Sequence, residues 1–125
     1  MPTMVGAVLA GLVLPAVACP LAGAVLQAGA VQAAWRVAGG AAIAVGRHFT
    51  VEVQLCPAGA ALARVDATMP EHRHGMNYRP SLHPLGDGRW RADGLMFHMA
   101  GRWELRLDVA HGGRTETLRT AITLP

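Results

Sequence analysis

The residues with the most chemistry to offer lie in Met69-Pro70-Glu71-His72-Arg73-His74-Gly75-Met76-Asn77-Tyr78, where two histidines and two methionines fall within eight positions. Imidazole nitrogen and thioether sulfur form a soft ligand set suited to copper, Cu(I) above all, whereas magnesium and calcium sites are built from oxygen. A further pair, His98-Met99, stands just before Gly101. The candidate metal ligands are therefore His72, His74, Met76, Met69, His98 and Met99, more than one copper ion needs. His72 and His74 would anchor the ion, and the thioethers would favour its reduced state. Zinc on His72, His74, His98 and a carboxylate such as Glu71 is the less favoured alternative, because thioether adds little to a zinc site. Met69, Met96 and Met99 also suit gaps in an apolar core, given how adaptably methionine packs.

Other constellations fail. Ser81 has no base or oxyanion partner in a Gly-x-Ser-x-Gly setting, and there is no phosphate-binding glycine loop. Asp66, Glu71, Asp87 and Asp93 form no catalytic pair, so nothing in the sequence proposes an enzyme. All eleven positive side chains are arginines and the formal net charge is +3, too small and dispersed for a nucleic-acid footprint. His48, His83 and His111 are isolated and read as solvated or strand-edge residues, and Trp90 and Trp103 read as core.

These ligands need elements to hold them, and the chain after residue 35 alternates with the period of half-buried strands. From Arg47 to Cys56, Phe49, Val51, Val53 and Leu55 face one way while His48, Thr50, Glu52 and Gln54 face the other. Arg102 to Asp108 repeats the pattern, with Trp103, Leu105, Leu107 and Val109 inward. Shorter strands are expected at 34–38, 63–68, 89–93 and 115–124, with Ala63, Val65, Ala67 and Met69 on an inward face. Gly39-Gly40, Pro57-Ala58-Gly59, Gly86-Asp87-Gly88, Gly101 and Gly112-Gly113 mark the turns. The pattern predicts an all-β, immunoglobulin-like antiparallel β-sandwich of about seven strands. In an extended segment His72 and His74 would share a side, and Gly75 would let Met76 swing back toward them. Loops cluster at the ends of a sandwich, so the 69–78 loop and the 98–101 turn are expected to meet.

No charged side chain occurs from Val5 to Ala34. This predicts an apolar N-terminal signal or anchor helix over residues 1–30, ahead of a domain at 31–125. Small residues offer cleavage points at Ala16-Val17-Ala18, Ala22-Gly23-Ala24 and Ala28-Gly29-Ala30. Leu is usual in a lipoprotein signal where Ala16 stands, which argues against a lipid on Cys19. The expected location is periplasmic or extracellular, with membrane association through residues 5–34 if the leader stays attached. If Cys19 leaves with the leader, Cys56 has no partner and no disulfide framework is expected.

The segments Met69-Pro-Glu-His-Arg-His-Gly-Met-Asn-Tyr-x-Pro80 and Gly88-x-Trp-x-x-x-Gly94-Leu-Met-Phe-His98-Met-x-Gly-x-Trp103-Glu-Leu resemble the YtkA-like domain family of small exported immunoglobulin-like domains. The resemblance spans roughly residues 35–124. That family is similar in architecture to CopC-type and FixH-type periplasmic proteins, associated with copper handling and cytochrome oxidase assembly. It implies a non-enzymatic domain that binds copper through Met69, His72, His74, Met76, His98 and Met99. An envelope protein would then be its partner in copper transfer or oxidase assembly. Copper chaperones with His and Met ligands use a spaced His-x-Met, whereas here His98 and Met99 are adjacent. The alternative of another class is a protein-interaction module without metal, presenting its edge strands or the 69–80 loop.

Overall fold

Alternation along the two longest sequence patterns produces the two walls of the core. In β3 (His48–Cys56) Val51, Val53 and Leu55 are buried, and Phe49 is half-buried at the strand's start. In β8 (Gly101–His111) Trp103, Leu105, Leu107 and Val109 lose all contact with solvent. Each large apolar side chain so buried contributes roughly 1.5–3 kcal/mol. The computed structural model describes residues 19–125 together with Pro2, Thr3, Gly6, Ala7 and Gly11.

Among the described residues nine strands form two antiparallel sheets. The first has the order β1 (Ala24–Ala28), β2 (Val31–Val37), β3, β7 (Arg89–Met96), β6 (Ser81–Gly86). The second runs β5 (His74–Gly75), β4 (Ala61–Met69), β8, β9 (Arg114–Leu124). Val31, Ala33, Val51, Val53 and Leu95 of the first sheet share one apolar cluster with Leu62, Val65, Leu105, Leu107 and Leu118 of the second, which makes the pair a β-sandwich. No α-helix occurs among the described residues.

Three strands go beyond the sequence pattern. Pro84 sits in β6, an edge strand, where a missing amide donor is tolerated. β5 is two residues long, too short to show any period. β1 lies inside the segment assigned to a leader ending at residue 30, and its hairpin with β2 turns through Gly29, at φ 55°. The 24–34 part of the apolar run is therefore a strand hairpin rather than a helix, and within it Val31, Ala33 and Ala34 are buried. The rest of the expected signal or anchor, 5–18, lies outside the described residues except at Gly6, Ala7 and Gly11. No helix among the described residues is long and apolar enough to cross a membrane.

Ala63 is a second correction. A bulge between Leu62 and Arg64 shifts the register of β4 against β8, so Leu62 faces inward before it and Val65, Ala67 and Met69 after it. Ala63 is the extra residue and is exposed.

Cys56 is not partnerless as expected. It is joined to Cys19, with 5.9 Å between their Cα atoms, inside the range a disulfide requires. The 19–23 approach to β1 brings Cys19 to the end of β3, and a bridged Cys19 has no thiol to take a lipid. Of the three cleavage points, only the one before Cys19 keeps the bridge. Alkylation of the unreduced protein should label no cysteine, and reduction should label two and lower the urea midpoint. The bridge spans a sequence separation of 37, and closing a loop of that size is worth about 3–4 kcal/mol.

Candidate metal centre

The hairpin that follows β4 is set by local backbone rules. The His72 amide donates to the Met69 carbonyl at 3.1 Å, closing a four-residue turn with Pro70 in its second place, where a fixed φ suits the turn. Arg73 then adopts a left-handed φ of 53°, and the chain returns with His74 opposite Met69 and Gly75 opposite Thr68. The Met76 amide donates to the Ala67 carbonyl at 3.1 Å. The expected extended course with a left-handed Gly75 is therefore replaced by a tight turn whose left-handed residue is Arg73. The outcome for the histidines is the same: the rings of His72 and His74 lie nearly parallel, 6.3 Å between centroids.

The 97–101 turn meets this hairpin. Gly101 has φ 120°, and a Cβ there would come within 2.9 Å of the Met69 terminal methyl. Beneath the contact Phe97 stacks on Trp103 at 4.5 Å, and Phe49 meets Phe97 edge-on at 5.0 Å. The Trp103 indole N–H donates to the Met99 carbonyl at 3.0 Å, which pins the turn to a buried ring. His98 lies edge-on to Trp103 at 5.4 Å and approaches His74 at 6.1 Å. The expected meeting of the loop and the turn is what the structure contains.

His72, His74 and His98 thus form a row with His74 in the middle. Two imidazoles sharing one ion have centroids about 5 to 6 Å apart, from a metal–nitrogen distance of about 2.0 Å plus the ring radius. The two spacings, 6.3 and 6.1 Å, lie just beyond that span, so a pair of these exposed rings would have to close slightly to share an ion. Among the described residues no three His, Cys, Asp or Glu side chains converge closely enough to enclose an ion. Glu71 does not complete a zinc-type set.

The methionines occupy the layer below. Met69 is fully buried with Ala67, Phe97, Trp103 and Leu124, so its first role is packing. Met76 is half-buried and packs against both apolar clusters, and Met99 is half-buried against the cluster that holds Met69. His72 and His74 are exposed and His98 is half-buried. The row of imidazoles therefore borders, through the contact of His98 with Trp103, an apolar cluster to which Met69, Met76 and Met99 belong.

Tyr78 meets His48 edge-on at 5.0 Å and stacks on none of the three histidines of the row. Burial opposes ionisation of Asp93, but hydrogen bonds from Thr50 and Arg91 and the charges of Arg91 and His83 outweigh it and hold its pKa below the ordinary carboxylate value. That cluster explains His83, 3.3 Å from Asp93, without a metal. Comparison with family models, curated proteins and solved structures gave no match.

Two substitutions test the support of the site. Gly101→Ala forces a side chain into a left-handed position against Met69 and should cost about 1–3 kcal/mol in urea denaturation. Trp103→Phe keeps an aromatic ring on Phe97 but strands the Met99 carbonyl. It should lower stability by about 1–3 kcal/mol and speed amide exchange selectively over 98–101.

Proposed function

We propose that this chain is an exported immunoglobulin-like domain that binds copper, Cu(I) in preference, and holds it or passes it to a partner in the cell envelope. One observation carries the reading: imidazoles from two separate segments, the 69–74 hairpin and the 97–101 turn, meet beside an apolar cluster that includes Met69, Met76 and Met99. His74 is the central ligand, His72 or His98 supplies the second nitrogen, and Met76 or Met99 supplies the thioether. Soft sulfur stabilises the reduced ion, and an open, few-coordinate site suits release. The domain acts by binding, not by catalysis.

The strand order supports the immunoglobulin-like assignment. β2-β3-β7-β6 opposite β4-β8-β9 corresponds strand for strand to the ABED and CFG sheets of that architecture, with β5 added beside β4. It agrees with the YtkA-like resemblance of the two motifs. The Cys19–Cys56 bridge favours an oxidising compartment.

Titration of the purified chain with Cu(I), Cu(II) and Zn(II) against competing chelators tests the proposal. Cu(I) should bind tightest. His72→Ala/His74→Ala should weaken it at least about a hundredfold, more than loss of an outer-shell partner usually costs. Copper uptake unchanged by that pair, or a preference for zinc, would overturn the site.

A further inference from the structure

The charge of the molecule is concentrated where the candidate site lies. Eleven arginines stand against eight acids. Five arginines are matched on the sheets: Arg36 with Glu52, Arg64 with Asp66, Arg91 with Asp93, Arg106 with Asp108 and Arg119 with Glu104. Arg89 and Arg114, at the far turns, are offset in number by Asp87 and Glu116. The remaining four, Arg47, Arg73, Arg79 and Arg102, are all exposed and have no carboxylate at ion-pair distance among the described residues. Only Glu71 stands with them, so this group accounts for the whole net charge of +3.

Arg47, Arg73 and Arg102 belong to the His/Met end, and Arg79 stands on its flank, where it lines a hollow with Arg64, Val65 and Met76. Arg73 separates His72 from His74, and Arg102 follows the Gly101 that touches Met69. Arg47 follows Gly46, whose amide donates to the Phe97 carbonyl at 2.9 Å. Arg79 follows Tyr78, whose ring meets His48. Val45 and Tyr78, 45% and 46% exposed, add apolar surface at the same end.

We propose that this arginine collar is a docking face for a protein partner that presents aspartate and glutamate side chains. The copper-binding proposal makes it the face across which metal would pass, and the docking claim rests on that reading only for its purpose. Guanidinium pairs with carboxylate through two parallel hydrogen bonds, a geometry lysine cannot supply. Arginine, tyrosine and methionine are the residues enriched at protein interfaces, where lysine is depleted. A membrane surface is served by longer polybasic runs, and this face has two large exposed apolar side chains to insert. Nucleic acid requires a basic stripe rather than a collar.

The test is amide NMR of the full chain with poly-L-glutamate as probe, at low and high salt, beside vesicles of phosphatidylglycerol and phosphatidylethanolamine. Shifts should be confined to 45–48, 71–79 and 97–102 and should fade with salt. Arg47→Glu/Arg79→Glu should weaken poly-L-glutamate binding about tenfold or more. The same net change at the far end, Arg89→Glu/Arg114→Glu, should alter it less than twofold, roughly the spread expected from rim charges. Equal loss in both pairs, shifts spread over the far turns, or tighter binding to the vesicles than to the polypeptide would overturn the proposal. Cu(I) titration of the Arg47→Glu/Arg79→Glu protein should match that of the parent. Failure of the copper site would therefore appear in the parent chain itself and be told apart from failure of the docking face.

Discussion

The His/Met end depends on one apolar contact, the Met69 methyl lodged against Gly101 above the Trp103 indole and its stacked partner Phe97. β4 ends there and β8 begins there, so the contact fixes the hairpin after one strand against the turn before the other. A side chain at position 101 would displace the Met69 methyl and sit at a φ of 120° that L side chains rarely adopt. The hydrogen bond from the Trp103 indole to the Met99 carbonyl adds direction to a contact that is otherwise dispersion and burial. The histidines inherit their spacing from that support, with no hydrogen bonds between them among the described residues.

The arrangement divides labour by depth. Thioethers belong to the wall of the sandwich, where their positions are held by packing, and imidazoles belong to the rim, where they can move to meet an ion. Under the copper-binding proposal, a site built in this way would bind without being closed, which suits exchange more than storage. The arginines around the rim follow the same logic in the docking proposal, because a charged collar would orient a partner over the ligands before any contact with them forms.

Much of this was legible in the sequence because strands of period two leave a direct record. Val51, Val53 and Leu55, and the run from Trp103 to Val109, face inward as their alternation predicts. The meeting of the two ligand segments also followed from counting strands. What escaped did so for identifiable reasons. β1 is apolar enough to pass for leader, and its pairing with β2 is a tertiary fact. A bulge at Ala63 changes parity without leaving a sequence mark. Left-handed backbone fell on Arg73 rather than Gly75, because the turn begun by Pro70 fixes where the chain must reverse. The Cys19–Cys56 bridge was hidden by placing Cys19 in the leader. Trp103 was read only as core, although its nearness to His98 and its bond to Met99 make it the main support of the site.

The most direct measurement of the central claim is X-ray absorption of the copper-loaded chain. A Cu(I) edge should appear with a mixed first shell of imidazole nitrogen at about 2.0 Å and thioether sulfur at about 2.3 Å. Substitution of Met76 and Met99 should remove the sulfur component. A shell of nitrogen and oxygen alone, unchanged by those substitutions, would contradict the account.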